Sequence, residues 1–222
     1  STGAPVNVIG GGSIDTVRVG TGLTNQIGGE VTVTGTDAVI YDNSDDGQSR
    51  AISVTGSTVN GLGNSVGFTH VGVGRIEVLL GSGDDTATFP IISSGISIDA
   101  GAGEDSVTGT LTGAPTTINP IDPTVASMTA RNAELVTFLN DGNNDATNWQ
   151  LDTGTDSGLL TADGVLVLDV ADAVDLTATL GEADGNTLQL LRVNQELTLT
   201  LRGDNNAVTV GGTFNGTLAT LD

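Results

Sequence analysis

The sequence predicts an all-β protein, built as a parallel β-helix or β-solenoid whose coils are about 20 residues long. Three observations lead to this fold class. Hydrophobic residues, many of them β-branched, alternate with polar ones from end to end, whereas helical periodicity is nearly absent. Clusters of Gly, Asn and Asp, which favour tight turns, separate the alternating segments. One such segment recurs after 20 residues.

The alternating segments predict short strands along the whole chain. In chain order the clearest are Val31–Thr34, Ile52–Val54, Ile76–Leu80, Ile96–Ile98, Leu166–Leu168 and Leu197–Leu201. The best helical candidate is Ala126–Leu135, which follows a proline-rich stretch. We expect that stretch, residues 113–125, to be a seam or an inserted loop in a single domain that spans residues 1–222.

The repeat is clearest when Ile76–Phe89 is aligned with Ile96–Gly109. Glycines, an aspartate and the hydrophobic positions then coincide at an offset of 20 residues. A fainter copy, Val136–Asp145, lies at a multiple of the same offset. Stacked coils of this kind, about eleven in all, would bury Val, Ile and Leu. This explains how a chain with only 3% aromatic residues can form a core.

A pair of β-sandwich domains, divided near residue 115, is the alternative architecture. Hairpins at this spacing also produce alternating strands separated by glycine-rich turns. The sequence alone leaves both architectures open.

The charge balance excludes several classes of partner. Among 222 residues, 27 are acidic and 6 are basic, which gives a formal net charge of −21. Such a chain cannot neutralise nucleic-acid phosphates or dock on anionic membranes. No segment is apolar enough to predict membrane insertion. Cysteine is absent, which excludes disulfides. Together with the absence of Lys, the composition is typical of an extracellular, bacterial-type cell-surface protein.

Two groups of motifs resemble known bacterial surface proteins. The turns Gly81–Asp85 and Gly101–Asp105 have the pattern Gly-x-Gly-x-Asp. They resemble the RTX (hemolysin-type) calcium-binding nonapeptide, although they lack its leading Gly-Gly and do not recur every nine residues. The segments Tyr41–Arg50, Val54–Leu62 and Val78–Thr86 are similar to the unit repeated in very large, repetitive β-solenoid proteins of aquatic bacteria. The resemblance implies an extracellular, calcium-associated, structural or adhesive function.

The repeat also predicts a crowded acidic corner. If the two glycine turns stack, Asp84 lies about 4.8 Å from Glu104, and Asp85 lies at the same distance from Asp105. Like charges at that separation repel by roughly 3 to 4 kcal/mol at an effective dielectric constant near 20. A proton or a cation would relieve the repulsion, and Ca²⁺ suits a site of carboxylates and backbone carbonyls. The alternative is that these residues only form turns and point into water.

Asp42, Asp45 and Asp46 form a second, weaker calcium candidate, because their spacing resembles the start of an EF-hand loop. Thr-x-Thr pairs recur along the chain, and on a flat face such pairs could order water as ice-binding proteins do. Their spacings do not keep one register, so we expect ordinary strand-face threonines and no continuous array.

These observations predict a structural surface protein, not an enzyme. It would self-assemble as a homo-oligomer or polymer, in a filament, a surface layer or an adhesin stalk, with Ca²⁺ as a possible stabilising cofactor. An adhesin module that binds carbohydrate or another surface ligand, such as a surface polysaccharide, is the second hypothesis. A polysaccharide-active β-helix enzyme is the third, and it would need Asp84, Asp85 and His70 in one cleft.

Overall fold

A computed structural model describes residues 3–90, 95–112, 127–133, 135–141, 147–153, 157–171, 175–181, 183–192, 196–211 and 218–221. The all-β prediction is confirmed. The described residues form 21 strands in two large mixed sheets and contain no helix. The predicted seam at residues 113–125 lies outside the described residues.

The larger sheet, which we call sheet A, has 11 strands. In spatial order they are β1 (Val6–Ile9), β3 (Val31–Thr34), β7 (Phe68–Val71), β6 (Thr58–Asn60), β5 (Ala51–Val54), β9 (Thr86–Phe89), β11 (Ser106–Thr112), β13 (Leu135–Asp141), β17 (Asp175–Leu180), β19 (Glu196–Leu201) and β21 (Leu218–Leu221).

The other sheet, sheet B, has 10 strands. In spatial order they are β2 (Thr16–Val19), β4 (Ala38–Asp42), β8 (Arg75–Leu79), β10 (Gly95–Asp99), β12 (Ser127–Arg131), β16 (Val165–Ala171), β15 (Ser157–Ala162), β14 (Asn148–Thr153), β18 (Thr187–Arg192) and β20 (Ala207–Val210).

The chain passes back and forth between the two sheets, and we call one such circuit a coil. Successive coils pair in parallel, and the predicted register is observed. Ile96 of β10 pairs with Ile76 of β8, and Ser106 of β11 pairs with Thr86 of β9. Both pairs keep the offset of the predicted repeat. The same offset recurs near the C-terminal end, where Leu188 of β18 pairs with Val208 of β20.

Two antiparallel meanders interrupt this pattern, one in each sheet. In sheet A, β6 pairs antiparallel with both β5 and β7. In sheet B, β15 pairs antiparallel with both β14 and β16. Each meander adds two strands to one sheet without lengthening the other. Coils that contain a meander are therefore longer, and Val136 pairs with Leu176, at twice the offset of the repeat.

The core fills the space between the sheets with side chains from alternate strand positions. In β9, for example, Ala87 and Phe89 are buried, whereas Thr86 is exposed and Thr88 is partly exposed. Gly109 of β11 pairs with Phe89 on one side and with Phe138 on the other. A residue without a side chain between two rings leaves room for both, which preserves close packing.

Two sequence-based predictions are wrong. Residues 127–131, predicted to begin a helix, form β12, which pairs in register with β10 and β16. Sheet pairing on both sides outweighs a weak local helix preference. The copy at Val136–Asp145 does not stack on Ile76, because Val136 belongs to sheet A and Ile76 to sheet B.

Both sheets continue across residues 113–125, since β10 pairs with β12 and β11 pairs with β13. In the part of the chain that the structure describes, we find no helix with the length and apolar character that crossing a lipid bilayer requires.

Candidate functional site

The glycines of the predicted repeat allow adjacent turns to stack closely. A Cβ atom on Gly81 would overlap the carbonyl oxygen of Asp46, and one on Gly101 would overlap the carbonyl oxygen of Gly81. A Cβ atom on Gly103 would come 2.5 Å from the carbonyl oxygen of Gly83. Gly101 and Gly103 also have positive φ angles, of 92° and 152°. Backbone from the neighbouring coil thus occupies the space that a side chain would need.

Acidic and amide side chains connect these turns from coil to coil. The backbone N–H of Asp85 donates to Oδ1 of Asp105 at 2.7 Å, and the N–H of Arg50 donates to Oδ1 of Asp85 at 2.7 Å. The N–H of Asn186 donates to Oδ1 of Asn206 at 3.0 Å. Each of these acceptors satisfies a donor in the preceding coil.

We call the acceptors of this series the Asx ladder. It consists of Asp37, Asp85, Asp105, Asn186 and Asn206. Each of them is the residue directly before a strand. Asn43 accepts in the same sense within a turn, from the N–H of Thr24 at 2.9 Å. Since both Asp and Asn occur in the ladder, its shared chemical feature is a side-chain carbonyl-type oxygen.

The structure brings the four predicted corner residues onto neighbouring coils, as the repeat predicts. Asp85 and Asp105 are buried, with 3% and 2% of their surface exposed, whereas Asp84 and Glu104 are exposed. The N–H of Glu104 donates to Oδ1 of Asp84 at 3.0 Å. The bond from Asp85 to Asp105 runs the opposite way, so the two coils hold each other reciprocally. The backbone N–H of Asp204 likewise donates to Oδ1 of Asp184, at 2.7 Å.

Burial raises the pKa of the Asp85 carboxyl group above its ordinary value. The hydrogen bond from the Arg50 backbone and the Arg50 charge oppose this rise, whereas the nearby charges of Asp46 and Asp84 add to it. Burial is thus the main cause of the raised pKa of Asp85, and repulsion between Asp85 and Asp105 stays a prediction.

The three aspartates of the second calcium candidate, Asp42, Asp45 and Asp46, each contact different groups. Oδ2 of Asp42 accepts two hydrogen bonds from the Arg18 guanidinium, at 2.9 and 2.6 Å. Asp46 accepts from Nε of Arg50 at 2.6 Å and from Nδ2 of Asn43 at 2.9 Å. Asp45 is exposed and lies against Gly22.

The pKa values of Asp42 and Asp46 reflect these contacts. Burial by itself would raise both pKa values. Hydrogen bonds from Ser44 and Arg18 outweigh burial at Asp42, and bonds from Arg50 and Asn43 outweigh it at Asp46, so that both pKa values lie below normal. Both carboxylates are consequently ionised and paired within the protein.

A Ca²⁺ ion needs six to eight oxygen ligands. Among the described residues, no group of three or more His, Cys, Asp or Glu side chains is arranged to hold a metal ion. One oxygen each of Asp84, Asp85 and Asp105 already accepts a backbone hydrogen bond, and the carbonyl oxygen of Gly81 accepts one from Ala102 at 2.9 Å. Calcium binding at this corner stays a prediction.

His70 is separate from the acidic corner. It is 1% exposed, and it lies between Tyr41 Oη, 3.0 Å from Nδ1, and the Thr55 carbonyl oxygen, 3.1 Å from Nε2. Since a carbonyl can only accept, Nε2 carries the proton and Nδ1 accepts from Tyr41. Burial lowers the His70 pKa and raises that of Tyr41. β7 and β9 are three strand steps apart, about 14 Å, so His70 and Asp85 do not share a cleft.

Sequence reasoning missed a second ordered feature, on the outer face of sheet A. Thr88, Thr108, Thr137, Thr177 and Thr198 lie side by side on successive strands. The expectation that the Thr-x-Thr pairs keep no common register is wrong. Insertions of different lengths lie in the turns and meanders, so the irregular spacing in sequence becomes a regular spacing in the sheet.

An open groove lies at the turns of the first coils. It has a volume of about 570 Å³ and is lined by Gly11, Gly12, Ser13, Ile14, Gly35, Thr36, Asp37, Gly72 and Gly74. Few side chains project from such a lining, so the groove offers little chemistry for a specific ligand.

Comparison of the chain with protein-family models, with curated proteins and with solved structures gives no match.

Proposed function

We propose that this protein is a structural component of a bacterial-type cell surface, whose coils stack end to end with those of further copies. The observation that carries the proposal is the open edge of the coil stack. In the described part of the chain, β1 pairs only with β3, and β2 pairs only with β4. An unpaired strand edge is a template for another strand.

The direction of the hydrogen bonds supports this use of the edge. The N–H groups of Val6 and Gly10 donate toward β3, to the carbonyls of Glu30 and Thr34. Because donors alternate along a strand, the N–H groups of Asn7 and Ile9 point to the open side. A parallel strand from another copy could accept hydrogen bonds from these two N–H groups. On the other side of β1, β3 already accepts the bonds from Val6 and Gly10 in this way.

Exposed apolar side chains favour the same contact. Ile9 is 78% exposed and Ile14 is 90% exposed, and both belong to the first coil. Burial of one such side chain contributes about 1.5 to 3 kcal/mol. The net charge of −21 disfavours unspecific contact between copies. Growth along the coil axis is therefore favoured over lateral clustering.

Substitution of Ile9 by lysine is expected to convert assemblies of the protein into monomers. The change removes apolar surface at the open edge and places a charge there, so end-to-end association should weaken by about 10- to 100-fold. The strength of association is measured by light scattering coupled to size-exclusion chromatography over a concentration series. Electron microscopy of the wild type shows the shape of the assemblies.

Val71→Lys is the matched control. Val71 is 52% exposed and occupies the same row of sheet A, since Ile9 pairs with Thr34 and Thr34 pairs with Val71. Its strand is paired on both sides, so this variant should assemble like the wild type. A wild-type protein that stays monomeric at every concentration would overturn the proposal, as would equal loss of assembly in both variants.

A further inference from the structure

The two faces of the coil stack differ in charge. Within the described residues, four of the five ion pairs lie on sheet B: Arg18–Asp42, Arg75–Glu77, Arg131–Asp169 and Arg192–Asp152. The fifth, Arg50–Asp46, lies in a turn. The strands of sheet A contain no arginine, and lysine is absent from the chain. In a protein with a net charge of −21, sheet A thus presents a largely uncharged face.

That face carries a continuous column of hydroxyl side chains. From β9 to β19 the column consists of Thr88, Thr108, Thr137, Thr177 and Thr198, one from each strand in order. Ser53 of β5 precedes it in register and Thr220 of β21 follows it. Neighbouring members are about 4.8 Å apart, because that is the distance between paired strands.

A second column lies two residues further along the same strands. It consists of Thr110, Leu139, Thr179 and Thr200, again in register. Two residues of a parallel strand span about 6.6 Å. Threonines in the two columns therefore form a grid of about 4.8 by 6.6 Å, in which a single leucine replaces one threonine.

The side chains of both columns point outward. Thr108, Thr137 and Thr177 are partly exposed, whereas the residues that flank each of them in its strand are buried. Each threonine presents one hydroxyl and one methyl group, and branching at Cβ restricts its rotamers. Asp85 and Asp105 of the Asx ladder directly precede β9 and β11, and the hydrogen bond between them links the coils of these two strands.

The composition of the face limits what can bind to it. Sugar ligands favour aromatic rings for stacking, but Tyr41, Phe68, Phe89, Phe138 and Trp149 are all buried, and Phe214 lies outside the described residues. Charged ligands need counter-charges, and the acidic residues in the strands of sheet A lie at strand ends. Asp175 and Glu196 are the first residues of β17 and β19, and Asp141 is the last residue of β13. A neutral ligand with a regular array of hydrogen-bonding groups fits the grid.

We propose that the threonine columns of sheet A bind the surface of ice. Ice is an extended neutral lattice of hydrogen-bonding groups, so a regular array of hydroxyl groups without charges is suited to its surface. A single hydroxyl contributes only about 1 kcal/mol. The free energies of many such contacts add up when the array is rigid. The entropy of ordering the side chains is then lost on folding and not again at each contact with the ligand. This binding face is distinct from the proposed end-to-end assembly, which uses the strand edges.

Thr137→Tyr in the full chain tests the proposal. Thr137 lies at the centre of the longer column, and a ring there holds the lattice away from its neighbours. Tyrosine suits a strand, so the fold should tolerate it. We expect the wild-type protein, fused to a fluorescent protein, to enrich in a slowly grown ice shell and to inhibit ice recrystallisation. The variant should bind ice about tenfold more weakly, a loss of about 1.4 kcal/mol.

Thr129→Tyr is the control, because Thr129 is a partly exposed strand residue of sheet B. It should bind ice like the wild type, and both variants should melt within a few degrees of it. Exclusion of the wild type from ice would overturn the proposal, as would equal losses in the two variants. Face-to-face dimers that only Thr137→Tyr dissociates, or binding of the wild type to crystalline chitin or cellulose in place of ice, would also overturn it. Assembly measured by light scattering is a separate readout, so failure of one proposal leaves the other standing.

Discussion

Gly81→Ala is expected to destabilise the protein by about 3 kcal/mol or more, enough to unfold much of a marginally stable chain. The new methyl group would overlap the carbonyl oxygen of Asp46, and it would lie 2.7 Å from the carbon of that carbonyl. These are backbone atoms of the neighbouring coil, and the Asp46 oxygen also accepts a hydrogen bond from Ser82 at 2.9 Å. The two coils would have to separate. Thermal and urea unfolding, followed by circular dichroism, measure the loss.

Gly12→Ala is the control for this substitution. A Cβ atom on Gly12 would meet nothing within 4 Å, and neither glycine has a positive φ angle. The two variants therefore differ in the space around the residue and not in backbone preference. Gly12→Ala should change stability by less than about 1 kcal/mol. Similar stability of the two variants would show that the turns do not stack as described.

Asp105→Ala is expected to cost about 2 to 3 kcal/mol, whereas Asp105→Asn should cost less than half as much. Alanine leaves the buried N–H of Asp85 without its acceptor, now 2.7 Å away. Asparagine keeps an oxygen at the same position, and Asn186 and Asn206 show that an amide serves in the ladder. The free energy of unfolding from urea titrations of the three proteins gives both values.

The same titrations in calcium and in a chelator distinguish a hydrogen-bond acceptor from a metal ligand. The ladder predicts that the difference between the two variants is the same in both solutions. If calcium stabilises the wild type and Asp105→Asn removes that effect, the carboxylate binds the cation that the sequence predicts, and the ladder alone does not explain this corner.

The stacking of the acidic turns could be predicted from the sequence, because the two coils that carry them are separated by no insertion. Ile76 and Ile96 begin similar segments that are one repeat apart, and the structure pairs them. The function of the acidic residues could not be predicted in the same way. Spacing placed Asp85 beside Asp105, but it did not show that backbone N–H groups would occupy their oxygens. The available signal was the position of Asp or Asn directly before several strands.

The meanders explain why other registers could not be predicted. Val136 aligns with Ile76 in sequence, yet the two residues belong to different sheets. Both sheets bury alternate residues, so the local pattern does not reveal to which sheet a strand belongs. The threonine columns were missed for a related reason. Thr137 is further from Thr177 in sequence than it is from Thr108, but it lies on the strand between them and pairs with both.

Hydrogen exchange of the donor amides tests the Asx ladder most directly. The N–H groups of Asp85, Thr147 and Asn186 lie at turns, where amides ordinarily exchange fast. We predict that these amides exchange as slowly as those of the buried strands, and that Asp105→Ala releases the Asp85 amide but not the Asn186 amide. Fast exchange of all three amides in the wild-type protein would contradict the ladder.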